Sequence, residues 1–262
     1  MTHDSDVLEV RIQHDGEAIL ASIESHAALP RASVLRIRSR IQRMFRLDED
    51  LTPFWRACAK TPRMRWVAKI GAGRILRSPT IFEDQLKILF TTNCTWTNTQ
   101  NMSRALVLAL GKPSPTGRRA FPTASACARK PPDWWREHVR VGYRVPGCVD
   151  LSRRAKRDDV LLDPSAHTDT RGDVGVLRRV LQERPGFGPY AAGQALRLLG
   201  RYDDLALDAA VRSHLGRGRS DAALRSDYAP FDAFAGLALW MDFSRYWLDH
   251  PKIPPPAARS EK

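Results

Sequence analysis

Two short segments near the start of the chain have the composition of β-strands. Residues 7–12 and 19–23 are rich in Val, Ile and Leu, and Asp15–Gly16 between them is a typical turn dipeptide. We therefore expect a small antiparallel β element at the N-terminus.

A basic amphipathic helix is predicted over residues 33–45. Its apolar positions recur every three or four residues, at Val34, Ile37, Ile41 and Phe45. Six arginines lie between residues 31 and 46. The apolar face could pack on a core or, with these arginines, lie on an anionic membrane surface.

From Leu51 onward, the periodic segments are helical. Thr80 and Glu83 form a capping-box pattern that opens a helix over residues 81–90. A second helix is predicted over residues 97–110, ended by Gly111 and followed by a loop rich in Pro and Gly. Further helices are predicted from Asp133 and over residues 143–157, 173–183, 189–199 and 231–248. The pattern predicts a mainly α fold.

The change from β to helical pattern, and then to a proline-rich composition, predicts the domain boundaries. We expect a reduced N-terminal α/β segment over residues 1–50, a helical core over 51–250 and a disordered proline-rich tail over 251–262.

The charge balance favours a polyanionic partner. Lys and Arg exceed Asp and Glu by 13, so nucleic acid comes first and an anionic membrane second, although a genomic bias towards arginine would give the same excess. No apolar run is long enough to span a bilayer, and residues 1–9 lack a signal core, so a cytoplasmic protein is expected. The four cysteines form no CxxC pair, which argues against an iron–sulfur cluster or a zinc site.

The sharpest local signal is the segment PGFGPYAAGQALRLLG, residues 185–200. Gly186 and Gly188 permit positive φ angles in a tight turn, and Pro189 suits the first position of the helix that follows. Backbone amides at such a helix start can bind phosphate. An ordinary turn between two helices would show the same residues.

Residues around this turn resemble a known family. The hairpin followed by Asp208 in LALDAAVR, together with the helix SPTIFEDQLKILFTTNCTW and the short motifs FPT and GYR, resembles the helix-hairpin-helix (HhH-GPD) DNA glycosylases, closest to the 3-methyladenine glycosylase II and 8-oxoguanine glycosylase branches. The resemblance covers about residues 40–248. It implies a two-lobed helical core preceded by a reduced β element.

The resemblance assigns chemistry to two positions. Asp208 matches the catalytic aspartate, which stabilises positive charge on the sugar as the base leaves; by itself it reads as a helix N-cap. Bifunctional relatives carry a nucleophilic lysine where this chain has Tyr190, and residues 185–200 contain no lysine. We therefore expect a monofunctional enzyme without lyase activity.

The expected substrate is a base flipped out of double-stranded DNA. Tyr190 and Gln194 lie on one helix face and would line the base pocket, with Trp240 as a further candidate that could equally be a core aromatic. Asn93 and Tyr143 match residues that fill the gap left in the duplex by the flipped base. Arg144 matches a residue that reads the orphaned cytosine, the base left without its partner. Two other residues of the 8-oxoguanine branch are absent from this chain. Asn98 stands in place of a second arginine that reads the cytosine, and Leu239 stands in place of a glutamine in the base pocket.

These features leave alternatives open. The preferred function is excision of an alkylated or deaminated purine by a monomer; excision of oxidised guanine opposite cytosine and non-catalytic binding of DNA structures are the others. No cofactor is required, but the resemblance implies a sodium or potassium ion held by the carbonyls of Gln182, Arg184 and Phe187.

Overall fold

The computed structural model describes residues 1–3, 6–14, 18–157 and 173–249. The expected turn at Asp15–Gly16 and the expected tail at 251–262 lie outside the described residues.

The N-terminal β element consists of two antiparallel pairs. Strand β1 (Thr2–His3) pairs with β2 (Asp6–Val7), and β3 (Glu9–His14) pairs with β4 (Ile19–Glu24), with Glu9 opposite Glu24. This confirms the reduced β element. The first long strand begins two residues later than the predicted range of 7–12 and runs on to His14.

Helix α1 (Arg31–Phe45) follows as predicted, but its buried face is rotated. Ser33, Ile37 and Ile41, at spacings of four, are the buried positions, and the two isoleucines pack with Leu8. Val34 was expected on this face and is instead 41% exposed. Spacings of three and four are both compatible with one face, so the sequence does not fix the rotation.

The rest of the described chain is helical, which confirms the mainly α class. The α-helices in chain order are α2 (Thr52–Lys60), α3 (Arg65–Ile70), α4 (Ile81–Thr91), α5 (Trp96–Leu110), α6 (Ala124–Ala128), α7 (Pro132–Trp134), α8 (Val145–Lys156), α9 (Val174–Gln182), α10 (Pro189–Leu198), α11 (Ala209–Val211), α12 (Asp221–Tyr228) and α13 (Ala235–Asp249). The 3₁₀ turns are Pro62–Met64, Gly142–Arg144 and Ala229–Phe234, and π turns occupy Trp135–Val139 and Arg212–Gly216.

Side-chain caps explain where many of these helices begin. The Thr80 hydroxyl accepts a hydrogen bond from the Glu83 amide at 3.2 Å, as the sequence pattern predicts. The helix starts of α5, α6, α9, α11 and α12 are capped in the same way by Thr95, Thr123, Asp173, Asp208 and Ser220.

Gly111 ends α5, as predicted. Its φ is −69°, so it does not use the left-handed conformation by which a glycine often ends a helix. A Cβ at this position would collide with the carbonyl oxygens of Ala120 and Val107. Glycine therefore allows the loop after α5 to return close to the helix end.

The chain forms two compact units. The first comprises residues 1–49 and 75–200, and the second comprises residues 50–74 and the described residues after Gly200. The core of the first unit is built on α4, α5, α8 and α10, with fully buried Leu86, Phe90, Trp135, Leu151 and Leu196. In the second, Phe54 of α2 packs against the rings of Phe231 and Phe234.

No helix in the described part of the chain is long and apolar enough to cross a membrane.

Candidate functional site

The predicted hairpin forms between α9 and α10. Gly186 has a φ of +84°, and a Cβ there would lie 2.9 Å from the Leu89 side chain. The turn also lies close to α8, because a Cβ on Gly147 would approach the Pro185 carbonyl oxygen to 2.5 Å. Gly186 is therefore required by backbone conformation and by packing.

Gly188 is the N-cap of α10, at the helix start where phosphate binding is predicted. Its φ is −70°, so this residue does not use the positive φ that glycine permits. A Cβ on Gly188 would meet nothing within 4 Å. The first amides of a helix have no partner within it, so the start of α10 at Gly188 suits an anion.

The turn also carries the carbonyls expected to hold a monovalent cation. The Arg184 carbonyl accepts the Phe187 amide at 3.1 Å and retains a second lone pair. Carbonyl oxygens are suitable ligands for sodium or potassium, and an ion held by those of Gln182, Arg184 and Phe187 stays a prediction.

Helix α10 carries the two expected pocket residues. Tyr190 is partly buried, and its hydroxyl donates to the Thr91 hydroxyl at 3.2 Å. Gln194 is also partly buried, with its side-chain oxygen accepting from Arg197 at 2.7 Å. That bond fixes the orientation of the Gln194 amide and leaves its NH₂ group as the part that can donate to a ligand.

The C-terminus of α10 is capped by Arg46, a residue that was not predicted from the sequence. Arg46 is only 3% exposed and donates to the carbonyls of Arg197 (3.1 Å) and Leu198 (2.6 Å), and also to that of Ile75 at 2.8 Å. A cation at a helix C-terminus is favoured by the helix dipole. The sequence shows Arg46 as one of six arginines in a basic segment, and nothing local distinguishes it.

The residues expected to fill a gap in DNA surround the end of α4. Asn93 is exposed and left-handed, with a φ of +43°. Tyr143 is 61% exposed, and its hydroxyl lies 3.2 Å from both the carbonyl oxygen and the hydroxyl of Thr92. The structure thus brings Tyr143 to the turn that carries Asn93.

Arg144, the predicted reader of the orphaned cytosine, is bonded to the backbone in this structure. It is 7% exposed, and its guanidinium donates to the carbonyls of Leu89, Thr92 and Val141. The same guanidinium lies 4.6 Å from the centre of the Tyr143 ring. In this arrangement it is directed at the backbone.

An open cavity of about 600 Å³ lies beside Tyr143. Its lining residues are Arg136, Arg140, Gly142, Tyr143, Val145 and Pro146. Arg136 pairs with Asp133 at the surface. The cavity is thus a cationic surface next to an exposed aromatic ring.

In the second unit, Asp208 is both buried and anchored. It is 8% exposed, and its Oδ1 accepts the Val211 amide at 2.8 Å as the N-cap of α11. Among the described residues no donor is bonded to Oδ2. The carboxylate is therefore oriented through one oxygen, and the other is available to a ligand or water.

The segment leading to Asp208 is packed against α13. The Gly236 amide donates to the Tyr202 carbonyl at 2.6 Å, and a Cβ on Gly236 would collide with the Asp204 carbonyl oxygen. Trp240 of the same helix is partly buried and lies 5.8 Å from the Phe243 ring. The role of Trp240 in the base pocket stays a prediction.

Comparison with known proteins shows the fold. The sequence matches no protein-family model and no curated protein. Among solved structures, the 8-oxoguanine glycosylase/lyase of Clostridium acetobutylicum, in complex with double-stranded DNA containing cytosine opposite 8-oxoguanine, has a TM-score of 0.68 at 18% identity over 90% of this chain and 81% of that one. The 3-methyladenine DNA glycosylase of Archaeoglobus fulgidus has a TM-score of 0.70 at 15% identity over 94% and 86%.

Proposed function

We propose that this chain, which has the fold of the helix-hairpin-helix DNA glycosylases, is a monofunctional DNA glycosylase that excises a damaged purine, alkylated or deaminated. The observation that carries the proposal is the buried, anchored Asp208 carboxylate with one oxygen open, at the position that matches the catalytic aspartate. A purely structural N-cap has no need to be an acid, since Ser, Thr and Asn cap equally well.

The proposed chemistry is hydrolysis of the bond between base and sugar. As that bond breaks, positive charge develops on the sugar, and the Asp208 carboxylate stabilises it. The same carboxylate orients water and accepts its proton. The products are the free base and an abasic site.

The absence of a lysine from α10 supports hydrolysis over lyase chemistry. Tyr190 cannot form an imine, and α10 contains no lysine. Lys87 on α4 forms an ion pair with Glu83 at 2.5 Å and lies near the Phe121 ring. Its amine is thereby engaged by a carboxylate, which disfavours attack on C1′.

Borohydride trapping tests this mechanistic class. We expect the protein to leave alkali-labile sites in a damaged duplex, no strand break of its own and no covalent adduct with borohydride. Efficient trapping that persists in both Lys87→Ala and Lys112→Ala would exclude the monofunctional class. Trapping lost in one of these variants would identify that lysine as a relocated nucleophile. That result would also exclude the monofunctional class.

Double-stranded DNA is the proposed partner. The net charge of +13, the open N-terminus of α10 and the cationic cavity beside Tyr143 support binding to phosphate. We propose that the protein acts as a monomer, with Tyr190 and the Gln194 amide contacting the flipped base and Asn93 and Tyr143 filling the gap. Action on genomic DNA inside the cell follows from this partner.

Substitutions of the two hairpin glycines test whether the hairpin binds DNA phosphate. Gly188→Val should weaken binding to every duplex alike, by about tenfold, which equals the loss of one charge-assisted hydrogen bond of roughly 1.5 kcal/mol. The fold should survive, because space over Gly188 is open and replacing an N-cap costs only about 1 kcal/mol. Fluorescence anisotropy with damaged and undamaged duplexes measures the effect.

Gly186→Ala is the matched comparison. It should lower the melting temperature, because Gly186 has a positive φ and its Cβ would press on Leu89. If Gly188→Val binds undamaged DNA as tightly as the wild type does, the start of α10 does not bind the DNA phosphate.

A second candidate substrate is oxidised guanine opposite cytosine. The exposed Tyr143 ring beside Asn93 favours it, since both match residues of that branch. A panel of single defined lesions separates it from alkylated and deaminated purines.

A further inference from the structure

Three consecutive residues at the end of α4 connect two functional groups of the first unit. The Thr91 hydroxyl accepts a hydrogen bond from Tyr190, and the Thr92 hydroxyl and carbonyl face the hydroxyl of Tyr143, each at 3.2 Å. Asn93 follows in a left-handed conformation. The proposed base-contacting tyrosine and the proposed gap-filling tyrosine are thus bonded to neighbouring residues of one turn.

Arg144 fixes this turn. Its Nε donates to the Leu89 carbonyl at 3.0 Å and to the Thr92 hydroxyl at 3.1 Å, and Nη2 donates to the Thr92 carbonyl. Its Nη1 donates to the Val141 carbonyl at 3.2 Å. All three guanidinium nitrogens are therefore bonded to the segments that carry Asn93 and Tyr143.

Arg144 also supports the Tyr143 ring directly. The guanidinium carbon lies 4.6 Å from the ring centre, within the range of a cation–π contact. The ring nevertheless remains 61% exposed. To reach a base, the buried guanidinium would have to give up its own hydrogen bonds to the carbonyls of Leu89, Thr92 and Val141, which is costly for a buried charged group.

We infer that Arg144 is a positioning residue, which holds Tyr143 and the Thr91–Asn93 turn ready to enter the gap in DNA, and that it does not read the base opposite the lesion. This inference rests on the proposed function. It implies that Arg144 contributes equally to excision opposite each of the four bases. Any preference for the opposite base must arise from other residues.

An insertion assay tests the inference without base release. A duplex carries a tetrahydrofuran abasic analogue with 2-aminopurine as its neighbour, and entry of Tyr143 unstacks the 2-aminopurine and raises its fluorescence. Arg144→Lys keeps the charge but loses the fork that reaches several carbonyls. Thr92→Val removes the shared hydroxyl and leaves the backbone in place. Thr97→Val, the same change on an exposed position of α5, is the control.

We expect Arg144→Lys to reduce the insertion signal per folded protein by about 10-fold to 100-fold, as for the loss of one or two charge-assisted hydrogen bonds. Thr92→Val should reduce it less, and Thr97→Val should match the wild type. Base release opposite C, T, A and G should fall by one common factor in Arg144→Lys. Melting temperatures give the folded fraction, so a loss of stability alone would leave the corrected signal unchanged.

Two results would overturn the inference. One is a changed ratio of rates between opposite bases in Arg144→Lys with insertion intact, which would make Arg144 a reader. The other is wild-type insertion in both Arg144→Lys and Thr92→Val. A wild-type protein that inserts but releases no base from any lesion would refute the proposed function and leave this inference standing.

Discussion

Asp208→Asn should reduce the rate of base release by about a hundredfold to a thousandfold, the usual effect of removing one charge-stabilising group from an active site. Asparagine is nearly isosteric and can still accept the Val211 amide as an N-cap. Stability and DNA affinity should therefore be close to those of the wild type. What is lost is the negative charge opposite the developing cation on the sugar.

Single-turnover cleavage of a damaged duplex measures this effect. Asp221→Asn is the matched control, because it makes the same carboxylate-to-amide change in the second unit at an exposed pair with Arg212. It should retain wild-type rates. Wild-type turnover in Asp208→Asn would remove Asp208 from the mechanism.

Arg46→Ala should lower the free energy of unfolding by about 3 kcal/mol, because three backbone carbonyls would each lose a donor worth roughly 1 kcal/mol. For a chain of this size the melting temperature should fall by roughly 6 to 12 °C. Two of these carbonyls, those of Arg197 and Leu198, end the second helix of the hairpin. Loss of the cap should therefore also weaken DNA binding by the hairpin.

Thermal melting compares this variant with Arg38→Ala. Arg38 is an exposed residue of α1, the helix that Arg46 directly follows, and surface changes of this kind usually alter stability by less than about 0.5 kcal/mol. Equal melting temperatures for the two variants would contradict the capping role of Arg46.

Features encoded by neighbouring residues could be predicted from the sequence. The Thr80 cap, Pro189 at the start of α10 and the Asp208 cap each depend on a few adjacent positions, and all three are present in the structure. The sequence shows that positive φ is permitted at both Gly186 and Gly188, and only Gly186 has it. Glycine permits positive φ without requiring it, so the residue type alone could not separate the two.

Features set by distant contacts could not be predicted. Arg46 bonds to carbonyls about 150 residues away in the sequence, and Arg144 bonds to the end of α4 more than 50 residues earlier. Nothing local distinguishes these arginines from exposed ones. The rotation of α1, which exposes Val34, likewise depends on what the helix packs against.

Incubation of the protein with duplexes that each carry one defined lesion, analysed with and without alkali, tests most directly whether it is a monofunctional glycosylase. We expect at least one alkylated or deaminated purine duplex to be cut at the lesion after alkali treatment and to stay intact without it. Intact strands after alkali for every lesion would contradict a glycosylase, and cutting without alkali would contradict a monofunctional one.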